Sequence, residues 1–331
     1  MRLASLRTGG RDGTLVVVDS ALRRAVAVPD IAPTLRAAIE DWDRTCGPLA
    51  EVSAALEAGE KGMGTGAVAL DPNELASPLP RAFQFLDGSV YLGHMEKARA
   101  ARGAAMPTNY KTEPIMYQGG SDAFVGPHEP MHFPSAADEI DYEPELAVVV
   151  DDVPMGTSAK EAGAHIKLVM LLNDWTLRAL TRHELPRGFG FLQAKPTSSF
   201  GPVAVTLDEL GDCWDGERIG LRVVSAVNGR ELGSAAAEAD MFFTYPELIA
   251  HACRTRSLSA GTIIGAGAIS NETADSGHGC IAEARIAEER EHGAPRTGFL
   301  TDGDVVRIEA LNPAGDAVLG VIEQPVRCAN V

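Results

Sequence analysis

The sequence predicts an α+β protein, mostly β, with a small α/β unit at residues 1–76 ahead of a larger strand-rich region at 77–331. Three observations predict this. A length of 331 residues suits one large domain plus a small one. Beyond residue 80, short apolar runs recur without regularly alternating helices, which argues against a doubly wound parallel sheet. Before residue 76 the pattern passes from β-rich runs to helical spacing.

In the leading unit, Asp12-Gly13 supplies a turn ahead of the β-rich run Thr14–Val18, and 24–28 is a second short run. Pro33 suits a helix start, and Leu35, Ile39 and Trp42 follow at helical spacing. A second helical stretch at 51–60 is expected to end at Lys61-Gly62, followed by a loose stretch, 62–66. Asp71-Pro72-Asn73 and Ser77-Pro78-Leu79-Pro80 mark the boundary. In the larger region the strand candidates are 146–150, 166–172, 203–206, 221–227, 262–266 and 305–310. An amphipathic helix is expected at 246–254, with Leu248, Ile249 and Ala252 on one side. Gly265-Ala-Gly267 has neither the G-x-G-x-x-G nor the P-loop context of a nucleotide-binding turn.

The formal net charge of −17 opposes phosphate backbones and anionic lipid surfaces, so neither nucleic acid nor membrane is an expected partner. An acidic substrate would need a local cationic pocket or a metal. Five scattered cysteines fit neither a zinc motif nor a disulfide framework and suit a reducing cytoplasm.

The chemistry concentrates in two stretches. Asp141-Tyr142-Glu143-Pro144-Glu145 runs straight into the apolar 146–150. Glu143 and Glu145 are two apart, so an extended chain points both to one face. Carboxylates so placed repel unless they share a proton or a metal, and oxygen ligation favours a hard cation. The plainer reading is a solvated strand edge with two surface glutamates. Asn173-Asp174-Trp175 ends the second apolar run. There Asp174 is either a site residue at a strand end or the N-cap of a helix over 175–183, with Arg178 one turn on. Asp87-Gly88, with His94 seven residues on, is a third feature.

These residues resemble the fumarylacetoacetate hydrolase family over roughly residues 80–325. Asp141-Tyr-Glu143-Pro-Glu145-Leu-Ala resembles its E-x-E strand, and Leu172-Asn-Asp174-Trp-Thr-Leu-Arg178 its N-D-W-[ST]-x-R motif. Asp87 and His94 keep the spacing of its first metal ligand and its histidine. Met116-Tyr117-Gln118-Gly119, Gln193-Ala-Lys195-Pro and Gly279-Cys-Ile-Ala-Glu283 resemble its tyrosine, lysine and glutamate segments. The stretch Gly9–Val16 resembles the small leading domain of bacterial members.

The resemblance implies a mixed β-roll catalytic domain, a homodimer, and one divalent cation, Mg²⁺ foremost with Ca²⁺ or Mn²⁺ as alternatives, held by Asp87, Glu143, Glu145 and Asp174. It implies that His94, oriented by Glu283, activates water, that Lys195 stabilises an oxyanion, and that Arg178 and Tyr117 bind a small diketo acid. The implied reaction is hydrolysis of a carbon–carbon bond, foremost fumarylacetoacetate to fumarate and acetoacetate in tyrosine and aromatic catabolism. Acylpyruvate or fumarylpyruvate hydrolysis and oxaloacetate decarboxylation are alternatives on the same scaffold, and a non-catalytic metal-binding protein is a further one. The sequence departs from the eukaryotic pattern at Thr181, Ser89 and Ala268, and either Arg99 or Arg102 answers to an arginine after the histidine.

Overall fold

A computed structural model describes residues 1–59, 66–101 and 103–329. The expected helix end at Lys61-Gly62, most of the loose stretch after it, and Arg102 lie outside those residues. The run 146–150 lies in the strand Pro144–Val150, every residue of which is buried. Leu146, Val148 and Val150 belong to one apolar core, and Ala147 and Val149 to another. A strand buried on both faces has no polar side to show, hence its unbroken apolar pattern.

That strand is central to a ten-stranded sheet. The order is Val68–Ala69, Arg24–Ala27, Thr14–Val18, Arg2–Leu6, Ser199–Thr206, Ile166–Asn173, Pro144–Val150, Ile263–Gly265, Phe85–Gly88 and Met116–Gly119. A five-stranded sheet runs Arg230–Ala236, Arg222–Val227, Val305–Leu311, Ala317–Cys328 and Met131–Phe133. The first core lies between the two sheets, joining Val148, Leu171 and Val205 to Val223, Ile308 and Ile322. On the other face of the large sheet, Leu35, Ile39, Leu49 and Leu56 of the N-terminal helices pack over Leu168, Met170 and Val149. The six strand candidates and the amphipathic helix, observed as Tyr245–Ala252, all occur with shifted ends.

The leading unit joins the larger region through its backbone. Arg2–Leu6, a strand with no turn signal ahead of it, pairs with Thr14–Val18 and also with Ser199–Thr206, Leu3 opposite Ala204. Asp12 pins the junction: it accepts from Arg81 Nε at 2.8 Å and Nη2 at 2.6 Å, and pairs with Arg36 at 2.8 Å. The two N-terminal helices are Leu35–Glu40 and Trp42–Ala58. The expected second helix is therefore the C-terminal half of a longer one, which runs through Pro48 and closes on Gly59 with φ 67°.

The helix expected over 175–183 begins instead at Arg178 and ends at Glu184. Thr176–Leu177 pairs with Ile140–Asp141, and the fully buried Trp175 donates to Ser199 Oγ at 2.9 Å. These contacts hold the chain extended after Asp174, so its carboxylate is not a helix cap.

Candidate active site

Neighbouring strands of the large sheet bring the acidic groups together. Asp87 lies on Phe85–Gly88 and Glu145 on Pro144–Val150, while Asp174 directly follows Ile166–Asn173. The strand between the first two contributes Gly265, directly opposite both Asp87 and Ala147. A Cβ at Gly265 would lie 2.3 Å from Asp87 Oδ1, so only glycine leaves room for the carboxylates there. Gly267 N–H donates to Asp87 Oδ1 at 3.2 Å and to Glu145 Oε2 at 3.1 Å. Gly265-Ala-Gly267 is thus an acid-packing turn. The two acidic motifs interlock: Asp174 N–H donates to the Glu143 carbonyl at 3.0 Å, and Glu143 N–H to Asn173 Oδ1 at 3.2 Å.

Asp87, Glu145 and Asp174 each place an oxygen within 4.8 Å of the others, and all three are buried. Burial, then the Asp174 charge, pushes the Asp87 carboxyl up to about 8, and burial with Asp87 and Asp174 raises Glu145 well above the carboxylate range. Among the described residues, Glu145 Oε1 is buried without a hydrogen-bond partner. An orphaned carboxylate oxygen among like charges is a donor set that fits a hard divalent cation.

Glu143, expected as the fourth ligand, is held at the edge of this cluster. Lys195 Nζ donates to Glu143 Oε2 and to Asp174 Oδ2, both at 2.5 Å. Arg178 Nη2 lies 2.7 Å from Glu143 Oε1. Burial would raise the Glu143 carboxyl, but Lys195 and Arg178 outweigh it and hold it well below the usual range. The same acids overcome burial and keep Lys195 firmly protonated. Tyr117 donates to Asp174 Oδ2 at 2.6 Å, and Ser198 Oγ to Asp174 Oδ1 at 2.9 Å.

Arg178 Nε also donates to Asp141 Oδ2 at 2.8 Å. Asp141 in turn accepts from the N–H groups of Ile281 and Ala282, at 2.9 and 3.0 Å, and so holds the start of the helix Ile281–His292. Nothing in the local pattern marked Asp141, Ser198 or Lys97 as site residues, since their site partners lie 24 to 186 positions away and only the fold delivers them.

His94 and Glu283 meet across two packed helices, Leu92–Ala101 and Ile281–His292. His94 Nδ1 is 3.8 Å from Glu283 Oε2, and Glu283 is 3% exposed. Glu283 accepts from Lys97 Nζ at 2.9 Å, Ser270 Oγ at 2.8 Å and Gly279 N–H at 2.7 Å. Burial raises its carboxyl, yet His94, Lys97 and these donors bring it well below the usual range.

Asp87, His94, Tyr117, Glu143, Arg178, Lys195 and Glu283 line one cavity of about 660 Å³. Ser89, Thr181 and Ala268 also line it, and their small side chains leave space in it. Arg99 reaches the same wall and donates to the Ala105 carbonyl at 3.1 Å. All nine sequence-derived site residues therefore fall in or directly beneath one cavity, with Glu145 and Asp174 beneath its floor. No helix among the described residues is long and apolar enough to cross a membrane.

The chain is similar to several known proteins. It is 29% identical over 208 residues to the oxaloacetate tautomerase YisK of Bacillus subtilis, covering 62% of this chain and 65% of that protein. The solved structure of a putative HpcE protein from Mycobacterium smegmatis matches with TM-score 0.69 and 21% identity over the whole of both chains. A maleylpyruvate hydrolase from Sphingobium sp. SYK-6, solved with manganese(II) and pyruvate, matches with TM-score 0.65 and 19% identity, again over both whole chains. At those identities the two solved structures speak to the fold alone. Residues 1–81 match Fumarylacetoacetase N-terminal domain 2, and residues 84–327 match Fumarylacetoacetate (FAA) hydrolase C-terminal. With its strand-borne acids and both regions matched, the chain belongs to the fumarylacetoacetate hydrolase family.

Proposed function

We propose that the protein is a divalent-cation-dependent enzyme that hydrolyses a carbon–carbon bond in a small 1,3-diketo acid, with fumarylacetoacetate the leading candidate. The observation that carries this is a histidine–glutamate pair in the same cavity as the carboxylate cluster. Hydrolysis needs an activated water, and tautomerisation or decarboxylation does not. Asp87, Glu145 and Asp174, with Glu143 beside them, would hold the cation, which supplies Lewis-acid polarisation of the paired substrate oxygens. His94 takes a proton from the attacking water. Glu283, locked by Lys97, Ser270 and Gly279, stands 3.8 Å from His94 Nδ1, which has no hydrogen-bond partner among the described residues, and would orient the imidazole from that side on closing to hydrogen-bond distance. Lys195 stays protonated at the cluster edge and faces the negative charge that develops on the substrate oxygen. A homodimer belongs to the same proposal, and sedimentation equilibrium tests it.

The Bacillus subtilis relative favours a second reading, oxaloacetate tautomerisation. The test is a panel of fumarylacetoacetate and 2,4-diketo acids with Mg²⁺ or Mn²⁺, products identified by NMR, run beside keto–enol conversion and decarboxylation of oxaloacetate. Two carboxylic or keto-acid fragments per diketo acid support the hydrolase. Fast oxaloacetate conversion with intact diketo acids replaces it with the tautomerase.

A further inference from the structure

Six cationic side chains reach the cavity wall: Lys97, Arg99, Arg178, Arg182, Lys195 and Arg285. Four of them are matched to carboxylates. Lys195 holds Glu143 and Asp174, Arg178 holds Asp141 and Glu143, Lys97 holds Glu283, and Arg182 holds Glu139 at 2.7 Å. Arg99 and Arg285 have no carboxylate within ion-pair distance among the described residues. Of these two, Arg285 is the better held. Its Nη1 donates to the Thr297 carbonyl, and its guanidinium lies 4.5 Å from the centre of the Phe299 ring. Thr297 is itself clamped: Glu288 accepts from Thr297 N–H at 2.8 Å, Thr297 Oγ1 at 2.6 Å and Arg296 N–H at 2.6 Å.

A guanidinium has five N–H donors. Thr297 takes one, and no other protein acceptor meets Arg285 among the described residues. The helix face toward the cavity is Ala282, Arg285, Ile286 and Glu289, at helical spacing. Glu283, two residues before Arg285, backs His94. One helix therefore carries both Glu283, 3.8 Å from His94 Nδ1, and a braced cation with no carboxylate within ion-pair distance among the described residues; Glu288, which feels its charge, is itself engaged by Thr297 and Arg296.

We propose that Arg285, stacked on Phe299, is the subsite for a second carboxylate of the substrate, at the end remote from the acidic cluster. The preferred substrates are then diketo dicarboxylates rather than diketo monocarboxylates. This rests on the hydrolase reading for the diketo part and adds the recognition of the far end. Glu289, which also lines the cavity, sets a limit by disfavouring a second charge placed close to it. A bound carboxylate would make guanidinium-to-carboxylate bonds at Arg285 with no protein carboxylate among the described residues in ion-pair distance to compete, whereas Arg178 is already paired with Asp141 and Glu143.

The test compares 2,4-dioxoheptanedioate with 2,4-dioxoheptanoate, which differ only by carboxylate or methyl at the far end. Both are assayed for turnover with Mn²⁺ and for binding by titration calorimetry, using wild type, Arg285→Gln and Arg285→Lys. Wild type is expected to prefer the dicarboxylate in KM and in Kd. In Arg285→Gln that preference falls by roughly 10- to 100-fold, while kcat and the constants for the monocarboxylate stay within about threefold. Arg285→Lys restores part of it, since the charge remains without the fork. Equal binding of the two compounds by wild type overturns the subsite whatever the variants do. A parallel loss for both compounds in Arg285→Gln also overturns it, by showing that the residue only braces the loop. If neither compound is cleaved but the dicarboxylate still binds tighter through Arg285, the hydrolase reading fails and the subsite stands.

Discussion

The floor and the wall of the cavity are built on opposite electrostatic plans. The floor sets oxygens of Asp87, Glu145 and Asp174 within 4.8 Å of one another and leaves Glu145 Oε1 without a hydrogen-bond partner among the described residues. The wall holds one buried carboxylate, Glu283, with an amine, a hydroxyl and an amide on it. Crowded carboxyl groups at the floor, offset only by Lys195 at the edge, are unstable when all are ionised and invite a cation. The satisfied glutamate of the wall is a fixed orienting element. The difference separates the group meant to receive something from the group meant to hold something still.

Four substitutions, three at the cavity and one outside it, probe that contrast and its limits. The largest effect is expected at the floor. Glu145→Gln should lower activity by well over the ~10- to 100-fold typical of groups behind a metal ligand. It should also raise the melting temperature of the chelated protein, because folding no longer has to protonate or crowd a buried carboxyl, and abolish the further rise that Mn²⁺ gives wild type. Calorimetric melting with and without Mn²⁺ reads both. A Glu145→Gln protein that is less stable than wild type under chelation would mean that the floor is not under repulsion.

At the wall, His94→Ala should slow hydrolysis by about 10²–10⁴-fold while leaving Mn²⁺ binding intact. Glu283→Ala should act through the same step, so the double variant should match the slower single one. Additive losses, or lost Mn²⁺ binding in His94→Ala, would merge wall and floor into one unit.

The smallest effect lies outside the cavity, at the junction of the leading unit. Arg81, then Arg36, hold the Asp12 carboxyl below its usual range despite partial burial. A depressed carboxylate adds stability above its unfolded value and loses it as pH falls through the folded one, so the window opens below about pH 4. Asp12→Ala should lower the melting temperature by roughly 1–2 °C at neutral pH, and the gap to wild type should close as the solution is acidified through that window. A gap that is constant with pH would assign the effect to packing.

Much of the floor was legible because its parts are contiguous in the chain. Glu143 and Glu145 sit together ahead of an apolar run, and Asp174 ends another. Strand parity predicts one face for both glutamates, but Glu143 precedes the strand and lines the cavity while Glu145 lies buried in the strand, and parity could not tell that Lys195 and Arg178 would draw Glu143 to the edge of the cluster. The helix expected after Asp174 failed because Trp175 and Thr176 are claimed by distant partners, Ser199 and Asp141. The wall was legible only through family resemblance, since Glu283 meets Lys97 across 186 residues.

By itself, the sequence determined the β-dominated class, the central strands and the acidic motifs, because periodicity and adjacent charges are local properties of the chain. Tertiary structure alone decided that Arg2–Leu6 extends the catalytic sheet, that Gly265 clears a space between Asp87 and Glu145, and that Arg285 faces the cavity with Phe299 beneath it. Each of those depends on which strand or helix lies next to which. That is settled by packing between residues far apart in the chain, for which no local pattern carries a record.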